Sequence, residues 1–328
     1  MKTASTQQEI YSLVAPDLER VEAELESYAS SPIAPIAEIG RHLLAAGGKR
    51  VRPALALLTA RMFGEVTPAA IRLAAVVELI HNATLVHDDV IDGSDTRRGR
   101  PSANAHWGNP MTVLAGDWLY MQAFSVALGE RNFDVLSTLI GITQKMVEGE
   151  LLQLTLVGRS EVTEEQLLDI AERKTASLFS GCMRLPAIVA GEDRASADLY
   201  ASVGQSLGMA FQLVDDVLDL TSTREVLGKP VASDLREGKV TLPVYYALAN
   251  GSDAARKRIR QVLEEGEIRS VSFREIVASV LEADGVDRTR ALAAGFAARA
   301  LGILEQLPPS VYRDAIISIP EFILNRRA

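Results

Sequence analysis

Two short clusters of aspartates with the same spacing are the residues of this sequence best suited to chemistry. The first reads DDVID over residues 88–92, and the second reads DDVLD over residues 215–219. On a helix, the first and last aspartate of each cluster project from nearly the same face, one turn apart. Carboxylate oxygens are hard ligands that suit Mg²⁺, which also takes water and phosphate oxygens. We therefore predict that Asp88 with Asp92, and Asp215 with Asp219, could each hold magnesium.

An acidic helix face that contacts only solvent is the alternative interpretation of either cluster taken alone. Both clusters, however, end strongly apolar segments, residues 73–80 and 208–214. Like charges one turn apart destabilise a helix slightly, so something positive should compensate them. Because the same spacing occurs twice at the polar ends of apolar helices, metal sites are favoured over solvated faces. If the fold pairs the clusters across a cavity, several metal ions could hold one diphosphate.

Short basic segments accompany the acidic clusters and could bind such an anion. GGKRVRP at residues 47–53 joins glycines to three cations, and Arg52 could grip phosphate through two parallel hydrogen bonds. The segment TRRGR at residues 96–100 follows the first cluster, while Lys229 and Lys239 follow the second. Each segment alone is more simply explained as a surface turn. Their repeated position beside aspartates indicates an anion site instead.

Four polar residues on predicted helices could complete this site, although a structural role would also explain each of them. They are His81, Lys174, Thr175 and Gln212. The sequence contains no Ser-His-Asp or Cys-His nucleophile set, no GxGxxG motif and no Walker loop. Metals, cations and the shape of a cavity must therefore supply the chemistry.

Composition and charge limit the class of protein. Of the 328 residues, 48% are apolar, and the net charge of −9 argues against a nucleic-acid partner. No apolar run is long enough to predict a transmembrane segment, and residues 1–19 are too polar for a signal peptide. The single cysteine, Cys182, excludes an internal disulfide, which fits a cytoplasmic location.

Helical patterns dominate the chain between proline and glycine breaks. Thr163 begins a capping-box pattern, which predicts a helix start. The segment 240–246 is β-prone, but its Pro243 suits the first turn of a helix better. Aromatic residues are few, and no internal repeat or long linker is evident. The sequence predicts one all-α domain over residues 1–328, with ten or more helices.

At these motifs the sequence closely resembles the trans-isoprenyl diphosphate synthases, also called the polyprenyl synthetase family, over nearly the whole chain. Five motifs stand in the family's order: GGKRVRP, ELIHNATLVHDDVIDGSDTRRGRPSANAHWG, ERKTASLF, GMAFQLVDDVLD and LGKPVASDLREGKVTLP. The resemblance implies the isoprenoid-synthase fold, an all-α helical bundle around a deep central cavity, generally built as a homodimer. It also implies a Mg²⁺-dependent prenyltransferase that joins isopentenyl diphosphate to an allylic diphosphate primer.

The resemblance further implies a role for each candidate residue. Contacts to isopentenyl diphosphate are implied for Lys49, Arg52, His81 and Arg98. Magnesium bridging the allylic diphosphate would bind Asp88, Asp92 and Asp215, and the clusters would be completed by Asp89, Asp216 and Asp219. The allylic diphosphate itself would contact Arg97, Lys174, Lys229 and Lys239. Oxygen dipoles near the developing allylic cation would come from Thr175 and Gln212.

Residues just before the first cluster bear on product length. Short-chain members of the family carry a bulky aromatic side chain four or five positions before the first aspartate, where this sequence has Ala83 and Thr84. A floor at that level would lie about 6–8 Å below the metal site, so the small pair favours an all-trans product of about thirty to fifty carbons. Met121 or Phe124 could still close the tunnel lower down. Membrane contact is expected only transiently, for product release.

Three alternatives remain. A class I terpene cyclase shares the first cluster, but its second metal motif usually differs from the aspartates at 215–219. A non-catalytic subunit of a heteromeric synthase usually lacks one cluster, and this chain has both. A shorter-chain synthase, making farnesyl or geranylgeranyl diphosphate, is favoured over either of these.

Overall fold

The protein is almost entirely helical. The computed structural model describes residues 6–45, 47–97, 99–222 and 231–326. Within them the chain forms seventeen α-helices, one π-helical turn and a single two-stranded antiparallel hairpin. The prediction of an all-α fold is confirmed. Two candidate residues, Arg98 and Lys229, lie outside the described residues.

The helices follow one another along the chain with few long connections. Their bounds are α1 Gln7–Ser12, α2 Ala15–Tyr28, α3 Ala34–Ala45, α4 Val51–Met62, α5 Pro68–Ile91, α6 Ala103–Trp107, α7 Asn109–Gly129, α8 Phe133–Leu156, α9 Glu164–Ala171, α10 Ser177–Val189, α11 Arg194–Thr221, α12 Ser233–Arg236, α13 Leu242–Asn250, α14 Asp253–Glu265, α15 Phe273–Glu282, α16 Gly285–Leu304 and α17 Val311–Leu324. The π-helical turn, Glu172–Ala176, joins α9 to α10, and the strands are β1 Thr96–Arg97 and β2 Arg100–Pro101.

Local sequence explains where several helices begin. The Thr163 hydroxyl accepts a hydrogen bond from the Gln166 N–H, and the Gln166 side chain accepts one from the Thr163 N–H. The predicted capping box at the start of α9 is therefore confirmed. Thr67 caps α5 through its hydroxyl, and Pro243 lies in the first turn of α13. The segment at 240–246 thus begins a helix, as expected.

Two compact units divide the described residues between them. Unit 1 takes its residues from 1–143, 178–204 and 303–318, and unit 2 takes its residues from 144–177, 205–302 and 319–328. The first aspartate cluster belongs to unit 1 and the second to unit 2. The single domain over the whole chain, and the pairing of the two clusters, stay predictions.

Helix α5 lies at the centre of unit 1. It packs against α2, α4 and α7, and its residues from 73 to 80 are all buried. By length and composition α5 could cross a membrane. The sequence has no uninterrupted apolar run of that length, so it does not predict such a helix. However, 72% of its most apolar window is buried inside the protein. Its hydropathy is therefore explained by its central position.

Unit 2 contains α9, the π-helical turn and the second half of α11. Ala171, Ala176 and Met209 form a buried cluster, against which Leu168 and Phe296 pack. Helices α13, α14 and α15 pack against one another in the same unit. This packing holds the π-helical turn beside α11, and these two elements carry most of the candidate residues of unit 2.

Candidate active site

The first aspartate cluster occupies the end of α5. Asp88 and Asp92 are half-buried, and the Asp92 N–H donates to the Asp88 carbonyl oxygen at 2.8 Å, so the two lie one turn apart as expected. Asp89 differs, because only 1% of it is exposed. Its Oδ1 atom lies 2.7 Å from both Nε and Nη2 of Arg97. The last turn of α5 therefore holds two half-buried carboxylates, Asp88 and Asp92, while the third, Asp89, is buried in an ion pair with Arg97.

Arg97 lies on β1 of the hairpin that follows α5. The Asn104 amide donates to the Asp89 carbonyl oxygen at 3.1 Å, and the Ser102 hydroxyl donates to the Ser94 carbonyl oxygen at 2.6 Å. Together with the ion pair, these bonds hold the hairpin against the end of α5. The expected contact of Arg97 with the allylic diphosphate stays a prediction, since its present partner is Asp89.

The second aspartate cluster lies near the end of α11. Asp215 is half-buried, whereas only 8% of Asp216 and 3% of Asp219 are exposed. The Asp219 carboxylate accepts hydrogen bonds from the Ser233 hydroxyl at 2.7 Å and from the N–H groups of Ser233 and Asp234 at 3.3 Å. Asp219 therefore anchors the first residues of α12 to the end of α11.

Burial raises the pKa of Asp216 well above its usual range, and neighbouring carboxylates raise it further. The hydrogen bond that Gln212 Nε2 donates to it, 2.8 Å long, acts in the opposite direction. The contributing carboxylates belong to Asp234, Asp215 and Asp219. Arg326 lies 2.8 Å from Asp215 and over the Phe211 ring. Several carboxyl groups are thus concentrated at this end of α11, and Arg326 offsets part of their charge.

The sequence predicts an ordinary helix at Lys174 and Thr175, but both residues lie in the π-helical turn. The Ser177 N–H and hydroxyl both donate to the carbonyl oxygen of Glu172, five residues earlier. Such widened turns inside helices frequently occur at functional sites. The sequence contains no local pattern that marks the extra residue, so the turn could be found only from the structure.

A glycine on α8 permits the close approach of the π-helical turn. A Cβ atom at Gly149 would lie 2.8 Å from Cβ of Arg173 and 2.9 Å from the backbone nitrogen of Lys174. Both distances are shorter than real Cβ contacts, so any other residue would push the elements apart. The glycine therefore brings α8 within reach of Lys174.

A chain of hydrogen bonds joins the π-helical turn to α11. The Thr175 hydroxyl donates to Gln212 Oε1 at 2.6 Å, and Gln212 Nε2 donates to Asp216 at 2.8 Å. These side chains line a cavity of about 120 Å³ in unit 2, together with Lys174 and Lys239. The structure therefore brings together five of the predicted site residues, which the sequence presents as separate motifs.

Both lysines of this cavity have carboxylate partners. Lys174 Nζ contacts Glu150 and donates to Gln153 Oε1 at 2.8 Å, and Lys239 Nζ donates to Glu237 at 2.8 Å. Sequence reasoning missed Glu150 and Gln153. Their spacing of one helical turn is the only sequence signal that could have found them.

The three described residues expected to bind isopentenyl diphosphate all belong to unit 1. Lys49 precedes α4, Arg52 lies in its first turn, and His81 lies on α5 two turns before the first cluster. The Arg52 guanidinium lies 5.0 Å from the centre of the Phe179 ring, which is a cation–π distance. Since α4 packs against α5, the cations lie on neighbouring elements of one unit.

Metal ligation by protein atoms alone is not evident. Among the described residues, no group of three or more His, Cys, Asp or Glu side chains is arranged to hold a metal ion. Mg²⁺ commonly takes one or two carboxylates and completes its shell with water and phosphate oxygens. The few half-buried aspartates within each cluster are therefore compatible with a metal ion that takes its other ligands from water and phosphate.

Known proteins resemble this chain over nearly its full length. An octaprenyl diphosphate synthase from Haemophilus influenzae is 38% identical over 97% of this chain and 96% of its own. A short chain isoprenyl diphosphate synthase from Methanothermobacter thermautotrophicus is 36% identical over 87% of this chain and 88% of its own. A crystal structure of a polyprenyl synthase from Caulobacter crescentus, complexed with calcium and isoprenyl diphosphate, has a TM-score of 0.94, with 34% identity and full coverage of both chains.

The sequence profile of the polyprenyl synthetase family matches residues 34–280. That range contains all five motifs, both aspartate clusters and the π-helical turn. Sequence, fold and relatives agree, and the chain belongs to the polyprenyl synthetase family of prenyltransferases.

Proposed function

We propose that the protein is a long-chain polyprenyl diphosphate synthase. It joins isopentenyl diphosphate head-to-tail to an allylic diphosphate primer and repeats this step to give an all-trans product. The proposal depends on the geometry at the end of α5. There Asp88 and Asp92 are half-buried on one turn, while Asp89 is paired with Arg97. Family membership supplies the reaction class.

The side chains at both clusters fit a divalent cation. Asp88, Asp92 and Asp215 offer half-buried carboxylates, which are hard oxygen ligands. Burial beside other carboxylates raises the pKa of Asp216, so a cation here would offset concentrated negative charge. We propose that these three half-buried aspartates hold Mg²⁺, while the more buried ones shape the clusters. Bound Mg²⁺ would neutralise charge on the diphosphate as the allylic carbon–oxygen bond breaks.

Residues around the cavity of unit 2 have separate tasks in this proposal. Lys174 and Lys239 bind the departing diphosphate. Each lysine would give up its present carboxylate partner, Glu150 or Glu237, to do so. The Thr175 hydroxyl directs its proton to Gln212, so the lone pairs of its oxygen remain to face positive charge. Apolar residues line the same cavity and keep water away from the allylic cation; they include Leu156, Val162, Leu167 and Ile170.

Lys49, Arg52 and His81 would fix isopentenyl diphosphate for attack on the cation. Positioning of this kind can supply several kcal/mol of the barrier. The proton lost from the new chain would pass to the released diphosphate, which requires no side-chain base. The substrate contacts that the resemblance implies for Arg98 and Lys229 stay predictions.

The proposal of a long product depends on the residues before Asp88. Ala83 is fully buried and Thr84 is half-buried, and the Thr84 hydroxyl turns back to donate to the His81 carbonyl oxygen at 2.7 Å. Neither side chain is bulky enough to form a floor. Met121 is 61% exposed in the single chain, and closure of the tunnel by Met121 or Phe124 stays a prediction.

A shorter-chain synthase is the second candidate, because the short-chain relative is nearly as similar to this chain as the long-chain one. Purified protein should be incubated with Mg²⁺, isopentenyl diphosphate and farnesyl diphosphate, and the products sized. Products longer than geranylgeranyl diphosphate would support the first proposal. Geranylgeranyl diphosphate alone would favour the second, and no condensation by folded protein would contradict both.

We also propose a homodimer, because two helices carry uncovered apolar residues at intervals of seven. Side chains repeating every seven residues on a helix form a seam that packs against another helix. On α7 the exposed residues are Leu114, Met121 and Leu128, and on α8 they are Phe133, Ile140, Val147 and Leu154. Exposed apolar stripes of this size usually mark an interface, and a second copy would cover them.

A cytoplasmic location is also part of the proposal. Cys182 is buried, and burial raises the pKa of its thiol to about 12, so the thiol stays protonated and unreactive. This is compatible with a reducing compartment. Contact with a membrane would occur only transiently, when the apolar product leaves.

A further inference from the structure

Arg50 lies between the other two cations of the GGKRVRP loop, Lys49 and Arg52, but none of the roles above uses it. Its φ of 49° and ψ of 35° are left-handed, a conformation that residues other than glycine, Asn and Asp rarely adopt. Strained residues of this kind persist only where their surroundings hold them, and they are concentrated at ligand sites. The contacts of Arg50 explain what holds it here.

Two carboxylates from different helices hold the Arg50 guanidinium. Nε and Nη2 lie 2.5 and 3.0 Å from the two carboxylate oxygens of Glu22 on α2, a bidentate pair. Nη1 donates to Glu78 on α5 at 2.8 Å. The Arg50 side chain is 11% exposed and that of Glu78 only 4%, so little water competes for this pair. Glu78 also lies one turn before His81, so the contact joins the loop to the helix that carries His81.

A second contact fixes the residue before Arg50. The Tyr11 hydroxyl, from α1, donates to the carbonyl oxygen of Lys49. Burial, and to a lesser extent the charge of Glu78, raises the pKa of Tyr11 to about 12, so it remains a hydrogen-bond donor at neutral pH. The backbone of Lys49 and the side chain of Arg50 are therefore both held from outside the loop.

The N-terminal clamp consists of Tyr11, Glu22, Arg50 and Glu78. We propose that the N-terminal clamp positions Lys49 and Arg52 for isopentenyl diphosphate, an inference that rests on the function proposed for that loop. The clamp residues contact the loop and not the substrate, so they are positioning residues. Two of them precede residue 34, where the family profile begins. Helices α1 and α2 would thus be part of the substrate site.

Glu22→Gln tests the clamp, because it keeps the shape of a partly exposed side chain and removes its charge. We expect the KM for isopentenyl diphosphate to rise about tenfold, since small misplacements of a binding group weaken productive binding. The KM for farnesyl diphosphate and kcat should change by less than about twofold, because other residues govern them. Tyr11→Phe should change the same KM in the same direction, and Arg50→Lys should retain binding better than Arg50→Ala.

Asp17→Asn is the matched control, because the pair of Asp17 with Arg61, 2.7 Å long, also joins α2 to α4 but does not contact the loop. It should lower the Tm without changing either KM. Calorimetric titration with isopentenyl diphosphate measures binding without turnover. A wild-type protein that binds while Glu22→Gln binds equally well overturns the clamp alone. A wild-type protein that does not bind overturns the proposed function and the clamp with it. Equal losses in Glu22→Gln and Asp17→Asn would also overturn the clamp, because they would indicate a general effect of stability.

Discussion

Replacing Thr175 by valine removes one hydroxyl group and preserves the shape of the side chain. That hydroxyl donates to Gln212 Oε1 at 2.6 Å, and the same amide donates to Asp216. Thr175 is 9% exposed, so water replaces the lost donor poorly. A buried polar group left without its partner costs about 1–3 kcal/mol. The amide of Gln212 can also rotate, which would disturb its bond to Asp216.

The rate of the first condensation should fall by about 5–150-fold in Thr175→Val, if that free energy is lost in the transition state. The assay is a single-turnover measurement with farnesyl diphosphate and isopentenyl diphosphate at saturating concentrations. Both KM values should change by less than about twofold, because the hydroxyl is assigned to the cation and not to substrate binding. The distribution of product lengths should stay unchanged.

Thr143→Val is the matched control for this prediction. The Thr143 hydroxyl lies on α8 and makes no hydrogen bond within the described part of the chain. Its removal should leave the rate of condensation unchanged. An unaltered rate in Thr175→Val would refute the role of the hydrogen-bond chain, and so would an equal loss in the control.

Three further predictions concern stability, product length and assembly. Burial and neighbouring carboxylates raise the pKa of Asp216. Above about pH 4 the native metal-free protein therefore binds more protons than the unfolded chain. Its stability should consequently fall as pH rises through the native pKa of Asp216. Asp216→Asn should flatten that dependence and raise the Tm of the metal-free protein at neutral pH by about 1–2 °C for each kcal/mol regained, as measured by thermal unfolding; a steeper pH dependence would contradict the assignment. Ala83→Phe should shorten the product in the sizing assay and preserve the first condensation, whereas unchanged lengths would remove Ala83 from the tunnel. Ile140→Glu should convert the homodimer to monomers in sedimentation equilibrium, since a charge on the α8 stripe opposes its burial, and a persistent dimer would place the interface elsewhere.

The sequence predicts those parts of the fold and site that depend on neighbours in the chain. The helix start at Thr163 needs only Gln166, three residues later, and the turn shared by Asp88 and Asp92 follows from helical geometry. Family motifs, present in order, are enough to identify the reaction class and the residue types of the site.

Contacts between distant segments could not be predicted in this way. Nothing near Arg97 in the chain shows that Asp89 would take up its guanidinium, and nothing near Arg50 indicates Glu22. Such pairs form when packing brings a hairpin or a loop against a helix and leaves one buried charge to be neutralised by another. Exposure likewise separates Asp215 from Asp216, although the two are adjacent in sequence.

The π-helical turn makes the site depend on the number of residues in a helix as well as on their identity. Deleting one residue from 172–176 would close the widened turn to regular α-helix, so Lys174 and Thr175 would no longer project in the directions that the wider turn gives them. Point substitutions there would be tolerated far better than a deletion. The π-helical turn also needs Gly149 on α8. A single methyl group at that position would push the two elements apart and separate Lys174 from Glu150 and Gln153. Over evolution, the length of this segment and the glycine opposite it should therefore change together or not at all.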